Sequence, residues 1–229
     1  MQQQTTIPIN NLQTQSLVQT TKSVCLCVAG SVAAVKTPDI VRGLLLAGVQ
    51  KIDCVLSHAA RKLLNTRYDN TVPFERLQQL QVENSEKVMI YIDSDEWDMY
   101  TEVGTSEVLH VELARRNQLL LIAPLCANTL ASVALGFCSN LLSSVVLAWK
   151  PDRPVLVAPA MNTCMWQKHI TQTHIETLRK GGFQIIQPVE KKLACGDVGP
   201  GAMESVSEII NRTVSVLNRG HGGNYASFE

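Results

Sequence analysis

The chain has 229 residues, of which 45% are hydrophobic and 17% charged, and its 20 basic and 20 acidic residues cancel at neutral pH. A chain of this length buries about 70% of its unfolded surface when it folds as one domain, so a sizeable core is available. The zero net charge disfavours binding of nucleic acid or an anionic membrane as the main function. No run approaches the ~20 apolar residues of a membrane span.

Both ends of the chain differ in composition from the middle. Residues 1–22 are rich in glutamine, threonine and asparagine and show no secretory or transit signal. They therefore predict a flexible N-terminal segment and a cytoplasmic protein. Residues 220–229 carry three glycines and predict a flexible tail. We expect a single folded domain at 23–219, since no linker divides it.

Five short apolar runs predict strands, at 24–29, 52–56, 119–123, 155–158 and 183–187. Helical spacing of apolar residues lies between them, for example at 40–45, 141–146 and 175–178. The segment 67–105 is harder to interpret, with 89–92 as a candidate additional strand before an acidic stretch. Nearly continuous apolar strands that alternate with helices predict an α/β fold, a doubly wound parallel sheet in a three-layer sandwich.

The seven cysteines are odd in number and include no CxxC pair. This pattern predicts reduced thiols rather than a zinc site or a redox dithiol. Most of them lie in apolar sequence surroundings, where cysteine behaves as a small core residue. Cys195, in a polar glycine-rich stretch, is the exception.

Ligands of parallel sheets bind beyond the carboxyl ends of the strands, which selects the loops that follow them. In the first loop, Gly30 permits a tight turn and Ser31 can cap a helix or contact a phosphate. The loop lacks GxGxxG, so a mononucleotide phosphate fits better than a dinucleotide, and an ordinary cap remains the alternative. The loop at 124–129 either frames a cofactor ring or caps a helix.

The later loops contain further candidates. Asn162 places an amide among apolar side chains, which is costly unless it binds a ligand or the neighbouring backbone. The segment 191–203 has three glycines around Cys195, which is typical of a mobile flap or of a simple turn with an inert thiol. His110 stands between apolar residues just before a helical stretch, where a lone histidine is more often structural.

Two motifs, residues 159–166 and 194–203, closely resemble the signatures of the phosphopantothenoylcysteine decarboxylase family. Residues 30–34, 109–113 and 123–130 resemble that family's phosphate loop, histidine motif and flavin loop, in the same order. The resemblance extends from about Val24 to Ile210. It implies a flavin mononucleotide (FMN) enzyme of flavodoxin-like topology, assembled as a homotrimer with each active site at a subunit boundary.

The resemblance also implies roles for individual residues. His110 would serve the decarboxylation and Cys195 would donate a proton late in the cycle, while the flap at 192–203 covers the substrate. The implied substrate-binding residues are Asn162, Met165, Lys192, Leu193, Ala194 and Met203. The implied cofactor-binding residues are Gly30, Ser31, Val32, Ser57, Cys126, Ala127, Asn128, Thr129, Ala160 and Met161.

The implied reaction converts 4′-phosphopantothenoylcysteine to 4′-phosphopantetheine, a step of coenzyme A biosynthesis. In the family's mechanism the flavin oxidises the thiol carbon to a thioaldehyde, so that sulphur can delocalise the electrons left by carbon dioxide. The resulting enethiol is then reduced by the same flavin, and no net oxidation results.

Three departures from the family pattern stand out. Cys126 occupies a position that is usually serine or aspartate, residues 116–118 replace a frequent Trp-Ala-Asp, and the loop at 56–59 retains only Ser57 as a flavin contact. Two alternatives therefore accompany the main reading. One is a peptidyl-cysteine decarboxylase of the same superfamily, and the other is a non-catalytic, flavin-binding regulatory subunit of a phosphatase.

Overall fold

The computed structural model describes residues 21–98, 100–103, 105–192 and 198–219. The predicted flexible segments, 1–22 and 220–229, lie outside these ranges except for Thr21 and Lys22. The backbone of Lys22 is already tied to the domain, because its carbonyl accepts the N–H of Gln50 at 2.8 Å.

Six parallel strands form the central sheet in the order β3-β2-β1-β4-β5-β6. The strands are β1 Ser23–Val28, β2 Lys51–Leu56, β3 Val88–Ile92, β4 Leu119–Leu125, β5 Val155–Pro159 and β6 Gln184–Ile185. All five predicted strands are present, and the candidate at 89–92 is a sixth. The last strand is shorter than the predicted 183–187, since only two of its residues pair with β5 at the sheet edge.

Ten α-helices and one 3-10 helix, Val32–Lys36, lie within the described residues. The α-helices are α1 Thr37–Leu46, α2 His58–Leu64, α3 Pro73–Glu83, α4 Asp95–Asp98, α5 Leu109–Arg116, α6 Ala127–Ala134, α7 Leu141–Leu147, α8 Thr163–Trp166, α9 His169–Lys180 and α10 Val206–Arg219. In this part of the chain, none of the helices is both long enough and apolar enough to cross a bilayer.

The helices cover both faces of the sheet. Alternate side chains of β1 point to opposite faces, so Val24 and Leu26 join one core cluster while Cys25 and Cys27 join the other. The first cluster takes its helical side chains mainly from α1, α3 and α10, and the second from α5, α7 and α9. This arrangement confirms the predicted three-layer α/β fold and explains why the central strands are almost entirely apolar.

The six cysteines within the described residues differ in burial, and Cys126 is half-buried. Cys25, Cys27 and Cys54 are buried, as predicted, and burial raises the pKa of the Cys54 thiol, which keeps it protonated. Cys138 and Cys164 are exposed, so the expectation that most cysteines except Cys195 lie in the core is wrong for these two. Cys138 lies on the connection between α6 and α7, and Cys164 lies in the short helix α8. At such positions apolar neighbours in the sequence do not guarantee burial in the folded chain.

A hairpin outside the main sheet was not predicted. Strands β7 Val189–Lys192 and β8 Val198–Ala202 pair in antiparallel fashion within the segment expected to be a glycine-rich loop. Glycine has a low strand propensity, so the glycine-rich sequence of this segment did not predict a hairpin. The residues that connect the two strands, 193–197, lie outside the described ranges.

Candidate active site

Four loops meet at the carboxyl edge of the sheet, around the point where the strand order reverses between β1 and β4. Ser57, after β2, donates its N–H to the Val28 carbonyl at 3.1 Å. Ala29, after β1, donates to Pro124 at 3.1 Å, and Ala160, after β5, donates to Leu125 at 2.9 Å. The loops therefore lie side by side, where doubly wound sheets bind their ligands.

Ser31 and Ser57 each cap the helix that follows. The Ser31 hydroxyl accepts the Ala33 N–H at 3.4 Å, and the Ser57 hydroxyl accepts the Ala60 N–H at 3.2 Å. Gly30 is required by packing, because a Cβ there would lie 2.4 Å from the Cβ of Ala59 in α2. The predicted cap at Ser31 is confirmed, while its contact with a phosphate stays a prediction.

A cavity of about 780 Å³ opens beside the first loop. It brings together six of the residues predicted for cofactor and substrate, namely Ser31, Val32, Ala160, Met161, Asn162 and Met203. These come from three distant parts of the chain: the loop after β1, the loop after β5, and the end of the β7–β8 hairpin. A volume of this size is typical of sites for ligands of cofactor dimensions.

Sequence reasoning missed several charged and aromatic residues of the lining, among them Lys36 and Tyr68. The Lys36 ammonium lies 4.9 Å from the centre of the Tyr68 ring, and both side chains line the cavity. The cavity thus combines two lysines, Lys36 and Lys191, two acids, Asp39 and Glu204, and hydroxyl groups with apolar walls. Such a lining suits a polar ligand with an apolar body, and the ammonium of Lys36 beside Ser31 offers a place for an anionic group. The position of Lys36 on the turn after Ser31 was a usable signal, whereas nothing local to Tyr68 indicated a site.

Asn162 is exposed rather than enclosed by apolar side chains. Its Oδ1 accepts the Met165 N–H at 2.7 Å and caps α8. The alternative of a bond to neighbouring backbone is therefore confirmed for this atom, and the predicted desolvation cost does not arise. Asn162 still lines the cavity, so its amide group faces a space that a ligand can enter.

The β7–β8 hairpin packs closely on the loop after β5. Gly201 has a φ of +130°, and a Cβ there would meet the Met161 carbonyl at 2.5 Å, while its own carbonyl accepts the Met161 N–H at 2.9 Å. Gly199 is similarly tight, because a Cβ would lie 2.7 Å from the Thr163 side chain. These contacts hold one strand of the predicted flap against the cavity.

Part of the predicted flap lies outside the described residues. Leu193, Ala194 and Cys195 belong to the segment 193–197, and of Lys192 only the backbone, at the end of β7, is described. Lys191, the residue before it, lines the cavity.

The predicted flavin loop opens α6 but does not line the cavity. Cys126 occupies the N-cap position without a side-chain bond to the helix backbone, and its Sγ donates to the Thr129 Oγ1 at 3.4 Å. Ala127 is half-buried, Asn128 is exposed and Thr129 is buried. Met165 is also exposed and lies apart from the cavity lining.

His110 lies in the first turn of α5 and does not line the cavity either. Its Nδ1 is 2.7 Å from Oε1 of Glu96, a buried carboxylate on α4 that sequence reasoning missed. The predicted catalytic histidine therefore lies outside the cavity that the predicted substrate-binding asparagine lines.

Comparisons with known proteins agree with this architecture. Residues 12–218 match the protein family described as Flavoprotein. The chain is 39% identical over 195 residues to the phosphopantothenoylcysteine decarboxylase of Mus musculus, which covers 85% of this chain and 86% of that protein. It is 47% identical over 127 residues to the rice (Oryza sativa subsp. japonica) protein of the same name, but this match spans only 57% of the rice protein's length and 56% of this chain.

Solved structures show the same fold. A PPC decarboxylase mutant complexed with pantothenoylaminoethenethiol superposes with a TM-score of 0.72 at 35% identity, over 83% of this chain and 95% of that chain. The FMN binding protein AtHal3 superposes with a TM-score of 0.70 at 35% identity, over 84% and 94% of the two chains.

Proposed function

We propose that this chain, which belongs to the Flavoprotein family, binds FMN and decarboxylates 4′-phosphopantothenoylcysteine to 4′-phosphopantetheine in coenzyme A biosynthesis. The observation that carries the proposal is the superposition on 95% of a PPC decarboxylase chain that was solved with pantothenoylaminoethenethiol. The mouse relative supports it, because the match extends over most of both proteins.

The residues at the carboxyl edge fit a flavin mononucleotide. Ser31 and Lys36 offer a hydroxyl and a cation for its phosphate, and Val32, Ala160 and Met161 offer apolar surface for its ring. When bound, the flavin supplies reversible acceptance of two electrons, which the side chains of the protein do not provide. The other predicted flavin contacts, Ser57 and residues 126–129, adjoin this cavity through the hydrogen-bonded loops.

The chain's own residues have distinct tasks in this proposal. Asn162 holds the substrate carboxylate with the amide group that faces the cavity, and the β7–β8 hairpin excludes water once substrate is bound. Cys195, which belongs to the segment between β7 and β8 in the sequence, donates a proton to the product carbon. His110 presents a ring nitrogen at the carboxyl group that leaves.

These tasks require His110 and Asn162 at one active site, although Asn162 lines the cavity of a single chain and His110 does not. A homotrimer with each active site at a subunit boundary meets this requirement, because His110 of one subunit then faces the cavity of the next. The exposed apolar side chains beside His110, Trp97 at 72% and Val111 at 46%, support such a contact.

The test is to purify the protein, record its visible spectrum and add substrates without oxygen. We expect flavin absorbance, turnover of 4′-phosphopantothenoylcysteine and no turnover of a peptide that ends in cysteine. Cys195→Ser should abolish product formation while flavin absorbance remains, and Cys138→Ser, which changes an exposed thiol elsewhere, should leave the rate unchanged.

Each alternative has its own signature in this experiment. Turnover of the peptide alone would replace the proposal by a peptidyl-cysteine decarboxylase. A yellow protein that turns over neither thiol would point to the regulatory subunit, and a colourless protein with full activity would exclude the flavin.

A further inference from the structure

Glu96 is a carboxylate that the fold has turned inward. Its side chain is only 7% exposed, whereas the next residue, Trp97, is 72% exposed. This is the reverse of the usual preference, in which glutamate is exposed and tryptophan is mostly buried. Burial of a carboxylate costs hydration free energy, whereas burial of the largely apolar indole ring does not. Such a position is tolerated when the carboxylate has a partner.

The partner is His110, fourteen positions along the chain on α5. The distance from its Nδ1 to Oε1 of Glu96 is 2.7 Å, which is short for a hydrogen bond between nitrogen and oxygen. The second oxygen, Oε2, is buried and has no partner among the described residues. Among the described residues, the Glu96 carboxylate therefore forms its side-chain hydrogen bond with the ring of His110.

The place of Glu96 does not depend on His110, because the neighbouring acids anchor α4. Asp95 Oδ2 accepts the Ile92 N–H at the end of β3, at 2.8 Å. Asp93 Oδ1 accepts the Leu141 N–H at the start of α7, at 3.1 Å. Both carboxylates are occupied by backbone groups, so Glu96 alone of these three acids is bonded to the ring.

We propose that Glu96 is the positioning residue of His110, an inference that rests on the proposed decarboxylase function. A carboxylate only accepts hydrogen bonds, so the ring proton of neutral His110 is on Nδ1 and the free lone pair is on Nε2. The His110 side chain is 29% exposed, which leaves the ring accessible to a substrate. Glu96 thereby selects the tautomer and aims Nε2 outward.

The carboxylate has a second effect on the ring. When Nε2 takes up a proton or a hydrogen bond, positive charge develops on the imidazole, and Glu96 stabilises that charge in a partly desolvated environment. Orientation and charge stabilisation both disappear if the carboxylate is removed. The loss should fall on the chemical step more than on substrate binding.

Nitrogen NMR of ¹⁵N-histidine-labelled holoprotein tests the tautomer directly, with His110→Gln used to assign the signal. We expect a protonated Nδ1 and an unprotonated Nε2 in the wild-type protein, and loss of this preference in Glu96→Ala. A wild-type ring that is protonated on Nε2 alone would overturn the proposal, and this measurement needs no activity and no Glu96 variant.

Steady-state kinetics test the predicted effect of Glu96 on the chemical step. Glu96→Ala should lower kcat about 100-fold with a nearly unchanged KM and unchanged flavin absorbance, which is the size expected for a disabled acid–base group. Glu96→Gln should recover part of the rate, because its amide oxygen can accept the same hydrogen bond without the charge. Asp98→Ala, an exposed acid on the same helix, should match the wild type.

An unchanged kcat in Glu96→Ala, or an equal loss in Asp98→Ala, would contradict the positioning role. If Glu96→Ala does not fold, Glu96→Gln and the wild-type NMR signal decide the question. If the wild-type protein has no decarboxylase activity, the proposed function fails, and the nitrogen spectrum still shows whether Glu96 controls the ring.

Discussion

Asp53 on β2 is a second buried carboxylate, and it organises a network on the face of the sheet that α5 covers. Its oxygens accept hydrogen bonds from Arg116 Nε at 2.8 Å, Arg116 Nη2 at 2.7 Å and Asn117 Nδ2 at 2.7 Å. Arg116 also donates to the Tyr91 hydroxyl at 2.7 Å. Arg116 and Asn117, two of the three residues at which this chain departs from the predicted family pattern, thus form one polar network with Asp53.

At this residue scale we expect Asp53→Ala to lower the free energy of unfolding by about 3 kcal/mol, because Arg116 and Asn117 both lose a desolvated partner. Urea unfolding followed by circular dichroism measures the change. Glu176→Ala, which removes an exposed ion pair with Arg179 at 3.4 Å, is the control and should cost under about 0.5 kcal/mol. Equal costs for the two variants would show that the network adds no stability.

At the scale of elements, the β7–β8 hairpin depends on glycines that let one strand approach another loop. Gly201 combines a positive φ with a contact to the Met161 backbone that leaves no space for a side chain. It therefore couples the flap strand to the loop that carries Asn162. A change here should alter the site without removing any side chain from it.

We expect Gly201→Ala to raise the KM for substrate about tenfold or more, because displacement of the hairpin by even an ångström misplaces groups that must meet the ligand. Gly48→Ala is a matched control, since Gly48 also has a positive φ, +86°, but its Cβ would meet nothing within 4 Å. Gly48→Ala should lose about 1 kcal/mol of stability from backbone strain alone, and Gly201→Ala should lose more, because its Cβ would also meet the Met161 carbonyl. Steady-state kinetics measure the KM. An unchanged KM in Gly201→Ala would show that the position of the β7–β8 hairpin does not affect substrate binding.

At the scale of the whole molecule, the proposed active site needs residues that do not share one cavity of a single chain. His110 and Glu96 lie between α4 and α5, whereas Asn162 lines the cavity beside the loop after β1. The proposed homotrimer unites these halves across each boundary. Because each half comes from a different subunit, two inactive variants can complement one another.

We expect His110→Ala and Asn162→Ala to be inactive alone, and to regain about one quarter of wild-type activity when refolded together in equal amounts, if subunits mix at random. In that mixture half of the subunits keep His110 and the other half keep Asn162. Each boundary needs His110 from one subunit and Asn162 from its neighbour, so one quarter of the boundaries are complete. Activity assays after co-refolding measure the recovery, and size-exclusion chromatography with light scattering measures the oligomer. No recovery in a confirmed mixed oligomer would place both residues in the same subunit's site.

Features that depend on neighbouring residues in the sequence could be predicted, whereas features that depend on packing between distant segments could not. Strands such as β1 could be predicted because helices cover both faces of the sheet, and this burial requires nearly continuous apolar residues. Helix α3 was not predicted, because it is rich in glutamine and buries only a narrow stripe around Leu77 and Leu80. Glu96 was not predicted because it lies in an acidic run whose residues look alike, and only the packing of α4 against α5 buries one of them.

The amino-acid sequence by itself determined the layered α/β fold, the loops at the carboxyl edge and six of the residues that line the cavity, since apolar periodicity and local motifs encode them. The tertiary structure alone decided that Tyr68 and Lys36 share that cavity, that the flap begins and ends in paired strands, and that His110 has a buried carboxylate for a partner. The physical reason is that burial and hydrogen bonding between distant segments depend on how helices and strands pack, which no local pattern of residues specifies.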